Sequence, residues 1–519
     1  MADTTPAPDA AGRVSWDVVL PDESATGRFA MDLAAVLAVG DMVALSGDLG
    51  AGKTTLARAV IREMAGDPAL DVPSPTFTLV QVYELSRATL VHADLYRVAD
   101  PAELEEIGWH DLADFAVVLV EWPERAGRLL APDRLDIQLS TVAGAGPTVR
   151  RVRLTGHGRL AAALARMRAT RALIDLAGFG PARRQHVQGD ASSRAYERLH
   201  GTRRTAILMD SPRRPDGPPV HEGRPYSAIA HLAEDVKPFV ALARGLRARG
   251  FSAPAIYAAD LDAGLLVLED FGHEGVVAGE PPGPDAARYE AAVDVLAALH
   301  GMELPAVLPV GSGIDYALPP YDLDAFLIEV ELLLDWYLPH QGAPPVVPEE
   351  RARFRALWAQ ALAAPMALPP SWVLRDYHSP NLMWLPEREG LARIGLLDFQ
   401  DALMGPPAYD LVSLTQDARI DVPEALELAL LGRYAKARRA ADPAFDVRGF
   451  ATSYAVLGAQ RATKILGIFA RLNRRDGKPA YLRHLPRIWT YLERCLAFPD
   501  LAGLRAWYQD RVPPPNRPS

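Results

Sequence analysis

The chain has 519 residues, too many for a single core, which stops growing near ~250–300 residues, so two or three domains are expected. Apolar residues make up 49% and charged residues 23%, the balance of a globular protein, and no stretch approaches the ~20 apolar residues that a membrane span requires. The net charge of −10 is uneven: residues 1–150 hold 11 Lys+Arg against 23 Asp+Glu, a surface that repels a nucleic-acid backbone and would serve nucleic acid only through partner proteins.

In chain order, residues 1–13 are rich in Ala, Pro, Asp and Thr and are predicted to be disordered. They lack the basic start and apolar core of a secretory leader, and the one cysteine, Cys495, excludes an internal disulfide and a Cys-rich metal site; a cytoplasmic protein is expected. Over 14–155 short apolar runs alternate with helical patterns. Strands are predicted at 41–46, 90–94, 115–121, 135–140 and 149–154 and a helix at 54–65, which reads as an α/β domain. Across 156–176, Leu160, Ala163, Leu164, Met167, Leu173 and Ile174 fall at helical spacing with arginines between them, an amphipathic linking helix. Strand patterns dominate 180–275, clearest at 205–209 and 265–269, and helical patterns dominate beyond 285, broken by Pro-rich stretches. A small strand-rich lobe before a larger helical one, over 177–511, is an α+β bilobal, kinase-like layout. The Pro-rich tail 512–519 is predicted to be disordered, and no internal repeat is visible.

The strongest motif is Gly47-Asp48-Leu49-Gly50-Ala51-Gly52-Lys53-Thr54, between an apolar strand and a helix. Its glycines let backbone N–H groups curl around phosphate oxygens. Lys53 is placed to reach the β/γ-phosphates of ATP, and the Thr54 hydroxyl to ligate Mg²⁺. Hydrolysis also needs a carboxylate near the metal and an ordered water, and Asp94 and Glu121 stand at strand ends as candidates. Taken singly, an acid at a strand end is more often a solvated turn residue, and Trp122 is equally a core residue.

Four motifs together, Gly47 through Thr55, Ser74-Pro75-Thr76-Phe77-Thr78-Leu79-Val80, His92-Ala93-Asp94-Leu95-Tyr96-Arg97 and Leu119-Val120-Glu121-Trp122-Pro123-Glu124, resemble the TsaE (YjeE) family of P-loop ATPases, which support threonylcarbamoylation of tRNA adenosine 37. The resemblance implies a P-loop NTPase fold over 14–155. It also implies that Thr76 lies in a switch-like loop, that Asp94 and Glu121 serve Mg²⁺ and water, and that Trp122 lies by the nucleotide. Docking on a TsaB–TsaD-type complex is implied as well, with tRNA met only indirectly.

Farther along, Arg375-Asp376-Tyr377-His378-Ser379-Pro380-Asn381 follows an apolar run, and Ile394-Gly395-Leu396-Leu397-Asp398 ends another in an acid. Phosphoryl transfer needs a carboxylate to accept the substrate proton and oxygen ligands for Mg²⁺. Asp376 fits the base, and Asn381 and Asp398 the metal ligands. His378, Gln400, Asp401 and Asp410 read better as loop-holding partners. With Gly189 to Arg194, Glu234 to Phe239, Leu266 to Gly272, Leu296 to His300, Leu332 to Tyr337 and Tyr409 to Leu414, these residues resemble the aminoglycoside phosphotransferase-like kinases, and among them the AmgK type. The resemblance implies ATP-dependent phosphorylation of the anomeric hydroxyl of N-acetylmuramate or N-acetylglucosamine, with Glu269 at the hinge that meets adenine. Met209 stands where such folds usually carry a phosphate-binding Lys, so Arg194 or another cation is expected to take that charge. Two alternatives remain at this point. The kinase half could act on an aminoglycoside or other small alcohol, a cationic substrate being met by Glu329, Glu331 and Asp335. The first half could be a nucleotide-gated binding module.

Overall fold

The computed structural model describes residue 9 and residues 12–187 and 194–515. The segments expected to be disordered fall largely outside these residues, as does most of the Gly189–Arg194 motif. The chain forms two compact units, Met1–Asp210 with Tyr257–Val267, and Ser211–Ile256 with Leu268–Ser519.

The first unit is built on a seven-stranded sheet. Its strands are β1 (Val14–Leu20), β2 (Met42–Ser46), β3 (Val80–Glu84), β4 (Thr89–Asp94), β5 (Val117–Glu121), β6 (Arg134–Thr141) and β7 (Arg150–Gly156), in the order β1-β7-β6-β2-β5-β4-β3. β2 runs parallel to β5 and β6, and β4 parallel to β5. Alternate side chains serve two cores, as the period of a strand requires. Val43, Leu45, Val117 and Leu119 enter one, while Met42, Val118 and Val120 enter the other. Helices α1 (Glu23–Val36) and α2 (Lys53–Ala65) cover the first face, and the short α3 (Ala102–Glu106) and α4 (Trp109–Phe115) contribute to the second. The Asp22 carboxylate accepts the Ala25 N–H at 2.7 Å and so starts α1. The expected strand at 115–121 begins two residues late: Phe115 closes α4 with its ring exposed, and β5 starts at Val117.

Helix α5 (Arg159–Leu176) occupies the predicted linker. Leu160, Ala161, Leu164 and Met167 pack on the large sheet, whereas Leu173 and Ile174 pack on a second, five-stranded sheet. That sheet has the order Ile256–Asp260, Leu265–Glu269, β10 (Thr205–Asp210), β9 (Ala195–His200), β8 (Arg183–Val187). Because one helix fills both cores, most of the small sheet belongs to the first compact unit. A buried carboxylate reinforces the junction: Asp32 of α1 accepts from Arg171 of α5 at 2.6 and 2.8 Å and pairs with Arg184 of β8.

The second unit is mainly helical. Its longest helix, Val447–Asp476, is buried along most of its length and packs against Leu323–Leu332, Pro348–Met366, Ala408–Thr415 and Leu485–Leu496. Two small antiparallel strand pairs, Ser371–Val373 with Leu403–Gly405 and Leu382–Trp384 with Ile394–Leu396, complete the unit, and Arg461 of the long helix donates to the Arg375 carbonyl on the loop that follows the first. Among the described residues, no helix is long and apolar enough to cross a membrane.

Candidate functional sites

In the first unit the Walker loop joins β2 to α2. Gly47, Gly50 and Gly52 adopt φ of 134, 80 and 104°, a region that side chains disfavour. At Gly47 a Cβ would stand 2.2 Å from the Leu139 carbonyl oxygen, so no larger residue fits. Lys53 is buried and its Nζ donates to the carbonyls of Gly47 and Asp48 at 2.7 and 3.1 Å, with the Trp122 ring centroid 3.8 Å away. The ammonium is thus held over the loop by the loop's own carbonyls. Asp48 and Gly50 are exposed and Ala51 is buried; Thr55 lies exposed on α2.

The parallel pairing of β4 with β5 sets Asp94 directly beside Glu121. Thr54 Oγ1 donates to Glu121 Oε2 at 2.8 Å, and His92 Nε2 lies 3.0 Å from Glu121 Oε1. Thr76 Oγ1 donates to Asp94 Oδ2 at 2.8 Å. Both acids are buried, and each accepts from a hydroxyl of a neighbouring motif. Trp122, at φ 60°, packs on Tyr96. The four motifs of the first half therefore converge on one place. Two contributors escaped the sequence reading. His92 lay in a motif but had no assigned role, and Arg150 donates to the Ala51 carbonyl at 2.7 Å from 99 positions away.

In the second unit Asp376 and Asn381 lie on the loop after Ser371–Val373, and Asp398 lies two residues beyond Ile394–Leu396. Asn381 Nδ2 donates to the Asp376 carbonyl at 3.0 Å and lies 3.5 Å from Asp398 Oδ2, while Gln400 Nε2 donates to Asp398 Oδ1 at 2.9 Å. Arg375 and Asp398 both have positive φ, 70 and 55°, strain that surrounding contacts must hold. Buried Asp410 supplies part of that hold, accepting the N–H groups of Leu374 and Arg375 at 2.6 and 2.8 Å. Asp401 accepts the Ala233 N–H at 2.7 Å. Gln400, Asp401 and Asp410 are thus loop-holding partners, as their positions suggested.

Asp376 remains about one-third exposed, with Arg461 3.8 Å from its Oδ1. Desolvation pushes its carboxyl upward, but Arg461, His378, Lys464 and Arg375 outweigh it and hold the group below the ordinary carboxylate value. The base candidate is therefore ionised at neutral pH. Arg461, 85 residues along the chain, was not anticipated from the motif.

Glu269 Oε1 pairs with Arg388, while its Oε2 accepts the Ala255 N–H at 3.0 Å and lies 3.4 Å from Arg247; its own N–H donates to Ala255 O at 2.8 Å. The side chain is committed to structure, so a hinge contact would fall to the backbone. Arg194 directly precedes β9, and Met209 lies buried in β10. The acids suggested for a cationic substrate are all paired: Glu329 with Arg375 and Lys464, Glu331 with Arg351 and Arg355, Asp335 with Arg351.

Comparison with known proteins assigns a family to each half of the chain. Residues 20–149 match the family described as Threonylcarbamoyl adenosine biosynthesis protein TsaE, and residues 183–444 match the Phosphotransferase enzyme family. A "N-acetylmuramate/N-acetylglucosamine kinase" from Caulobacter vibrioides is 42% identical over 67% of this chain and 96% of its own length. A "tRNA threonylcarbamoyladenosine biosynthesis protein TsaE" from Rickettsia felis is 38% identical over 24% of this chain and 72% of its own. The crystal structure of Bacillus subtilus YdiB aligns at 28% identity and a TM-score of 0.25, covering 30% of this chain and 95% of that one. The chain belongs to the Phosphotransferase enzyme family, with a TsaE-family domain fused ahead of the kinase fold.

Proposed function

We propose that the kinase half of the chain, matched to its family over residues 183–444, acts on the anomeric hydroxyl of N-acetylmuramate or N-acetylglucosamine. Asp376 accepts the hydroxyl proton as the sugar oxygen attacks the γ-phosphorus of ATP and the bond to the ADP oxygen breaks. The observation that carries this reading is an Asp376 kept ionised by surrounding cations, with Asn381 and Asp398 linked to its loop. The pairing of Glu329, Glu331 and Asp335 with arginine and lysine leaves a cationic substrate without an unpaired acid among them, which favours a sugar over an aminoglycoside.

Asn381 and Asp398 would hold Mg²⁺ through side-chain oxygens, the ligand type that suits it. Thr54, Asp94 and Glu121 do the same at the Walker loop. When bound, the metal would neutralise phosphate charge at each place. The residues that cradle ATP in the first unit are Gly47, Asp48, Gly50, Ala51, Gly52, Lys53, Thr54 and Thr55, with Trp122 beside them. In the kinase half the backbone of Glu269 takes adenine.

The TsaE-family domain is proposed to hydrolyse ATP in support of tRNA adenosine-37 threonylcarbamoylation by docking on a TsaB–TsaD-type complex in the cytoplasm. Phe77 and Leu49 support this. Both are 85% exposed, and they border Thr76 and the Walker loop, where a partner would sense the nucleotide. ATP turnover by the protein should rise on adding that complex; equal turnover with and without it would contradict docking.

The kinase reading is tested by transfer of labelled phosphate from ATP to each sugar. Wild type should yield sugar 1-phosphate, and Asp376→Ala should lose on the order of 10²–10⁴-fold. Undiminished transfer by the variant would remove Asp376 from the chemistry.

A further inference from the structure

The face of the large sheet that carries Glu121 is otherwise apolar along β4 and β5. Leu90, Val117 and Leu119 turn to the core under α1 and α2, whereas Val91, Ala93, Val118 and Val120 turn the other way. By the period of a strand, the side chain at 92 shares the face of Leu90 and is expected to be apolar too. It is a histidine, and it is 0% exposed.

The fold satisfies only half of this ring. His92 Nε2 lies 3.0 Å from Glu121 Oε1. A carboxylate accepts, so the hydrogen sits on Nε2 and the imidazole donates. Nδ1 is buried and has no hydrogen-bond partner among the described residues. Buried polar atoms are nearly always paired, and an orphan is destabilising. A leucine would fill this face without that cost, so packing alone does not account for the histidine.

Asp94 shows what the ring supplies. It stands opposite Glu121 in the β4–β5 register, and its two oxygens are divided in the same manner. Oδ1 accepts the Tyr96 N–H at 3.1 Å, a donor fixed in the backbone two residues on, and Oδ2 accepts from Thr76 at 2.8 Å. In Glu121, Oε2 accepts from Thr54 of the Walker motif at 2.8 Å, and Oε1 is left to His92. A glutamate carboxylate stands one methylene farther from its own backbone than an aspartate does, with one more torsion to fix. A side chain of the neighbouring strand anchors it where a turn N–H anchors Asp94.

We propose that His92 is a positioning residue of the Walker site, its Nε2–H holding Glu121 Oε1 so that Oε2 alone is turned toward Thr54. The inference rests on the ATP-hydrolysing reading of the first half and adds the side chain that keeps its carboxylate aimed. Loss of the donor frees the last torsion of Glu121 but leaves the Gly47–Lys53 loop as it was. The effect therefore falls on turnover rather than on ATP affinity.

The length of the replacement separates a donor from a filler. Gln carries its amide nitrogen at the reach of the imidazole Nε2, Asn at the reach of Nδ1, and Leu carries neither. The measurement is ATP hydrolysis by the full chain without sugar, in the presence of the TsaB–TsaD-type complex, with the turnover of Lys53→Ala subtracted as the blank. His92→Leu and His92→Asn should lower kcat about 10- to 100-fold, the worth of one hydrogen bond to a charged group. Their KM for ATP should stay within about 3-fold of wild type, and His92→Gln should keep kcat within about the same factor. Urea unfolding without nucleotide gives the readout that a structural role would move. Leu loses the bond to Glu121 but also the orphan nitrogen, so His92→Leu should unfold close to His92→Gln while turning over far more slowly.

Equal turnover by the Gln and Leu variants would show that Glu121 does not need the donor and would overturn the proposal. A raised KM with unchanged kcat would place His92 in nucleotide binding instead, and a Leu variant that unfolds well before the Gln variant would make the ring a structural brace; both overturn it as well. Wild-type turnover no higher than the Lys53→Ala blank would end the hydrolysis reading itself, and this inference with it.

Discussion

Single residues decide how the kinase loop is charged. Asp376 is pushed upward by desolvation and held down by Arg461 first, then by His378, Lys464 and Arg375. A carboxylate base so held loses its proton below the ordinary carboxylate range, so wild-type kcat/KM should stay flat from neutral pH down to about 5. Arg461→Gln removes the first-ranked cation; its acid limb should move up in pH and kcat should fall, which a pH–rate profile reads directly. An acid limb that stays where the wild type has it would contradict the electrostatic role. Asp410 shows the opposite balance. Burial raises its carboxyl to about 7 even though the Leu374 and Arg375 N–H groups and Arg461 favour the ion. Between about pH 4 and 7 the folded chain therefore keeps a proton that the unfolded chain releases, so this group makes stability fall as pH rises through that window. Asp410→Asn imitates the protonated form, and urea denaturation across pH 4.5–7.5 should show a shallower decline than wild type; an unchanged slope would contradict the assignment.

At the scale of elements, the outcome depends on how far apart in the chain the partners lie. The Walker loop was legible because phosphate binding demands glycines of positive φ and a Lys-Thr pair at fixed offsets, all within eight residues. Asp94 and Glu121 were legible as acids ending apolar runs, and the β4–β5 register that sets them side by side follows from parallel pairing. The strand β1 and helix α1 were not foreseen, since an N-cap at Asp22 and an amphipathic stretch carry no chemistry that marks them. Phe115 was misplaced because an apolar run cannot tell the end of one element from the start of the next. Arg150, Arg461 and the partner of Asp32 were invisible for a different reason: each acts across a long separation that only packing closes. The Asp32 cluster carries a prediction of its own. Asp32 is 3% exposed, and removing it leaves the guanidinium of Arg171, 14% exposed, with only the Gly180 carbonyl and Asp175 at 3.9 Å, although Arg184 keeps Glu197. Asp32→Ala should lower the stability of the first unit by about 3–5 kcal/mol, measured by denaturant unfolding; a change under about 1 kcal/mol would show that the helix α5 contacts alone hold the junction.

The whole molecule carries two nucleotide-binding motifs in two families, one from Gly47 to Thr55 and one around Asp376, Asn381 and Asp398, with no residue in common. Nothing in either site requires the other: the Walker loop is completed by β4, β5 and β7 of its own sheet, and the kinase loop by the helix Val447–Asp476 and the two small strand pairs of its own unit. The most direct test is calorimetric titration of the full chain with ATP and Mg²⁺. Wild type should bind two equivalents, and Lys53→Ala and Asp398→Ala should each retain one. Loss of all binding in Lys53→Ala alone would leave the kinase half without a nucleotide and contradict the account.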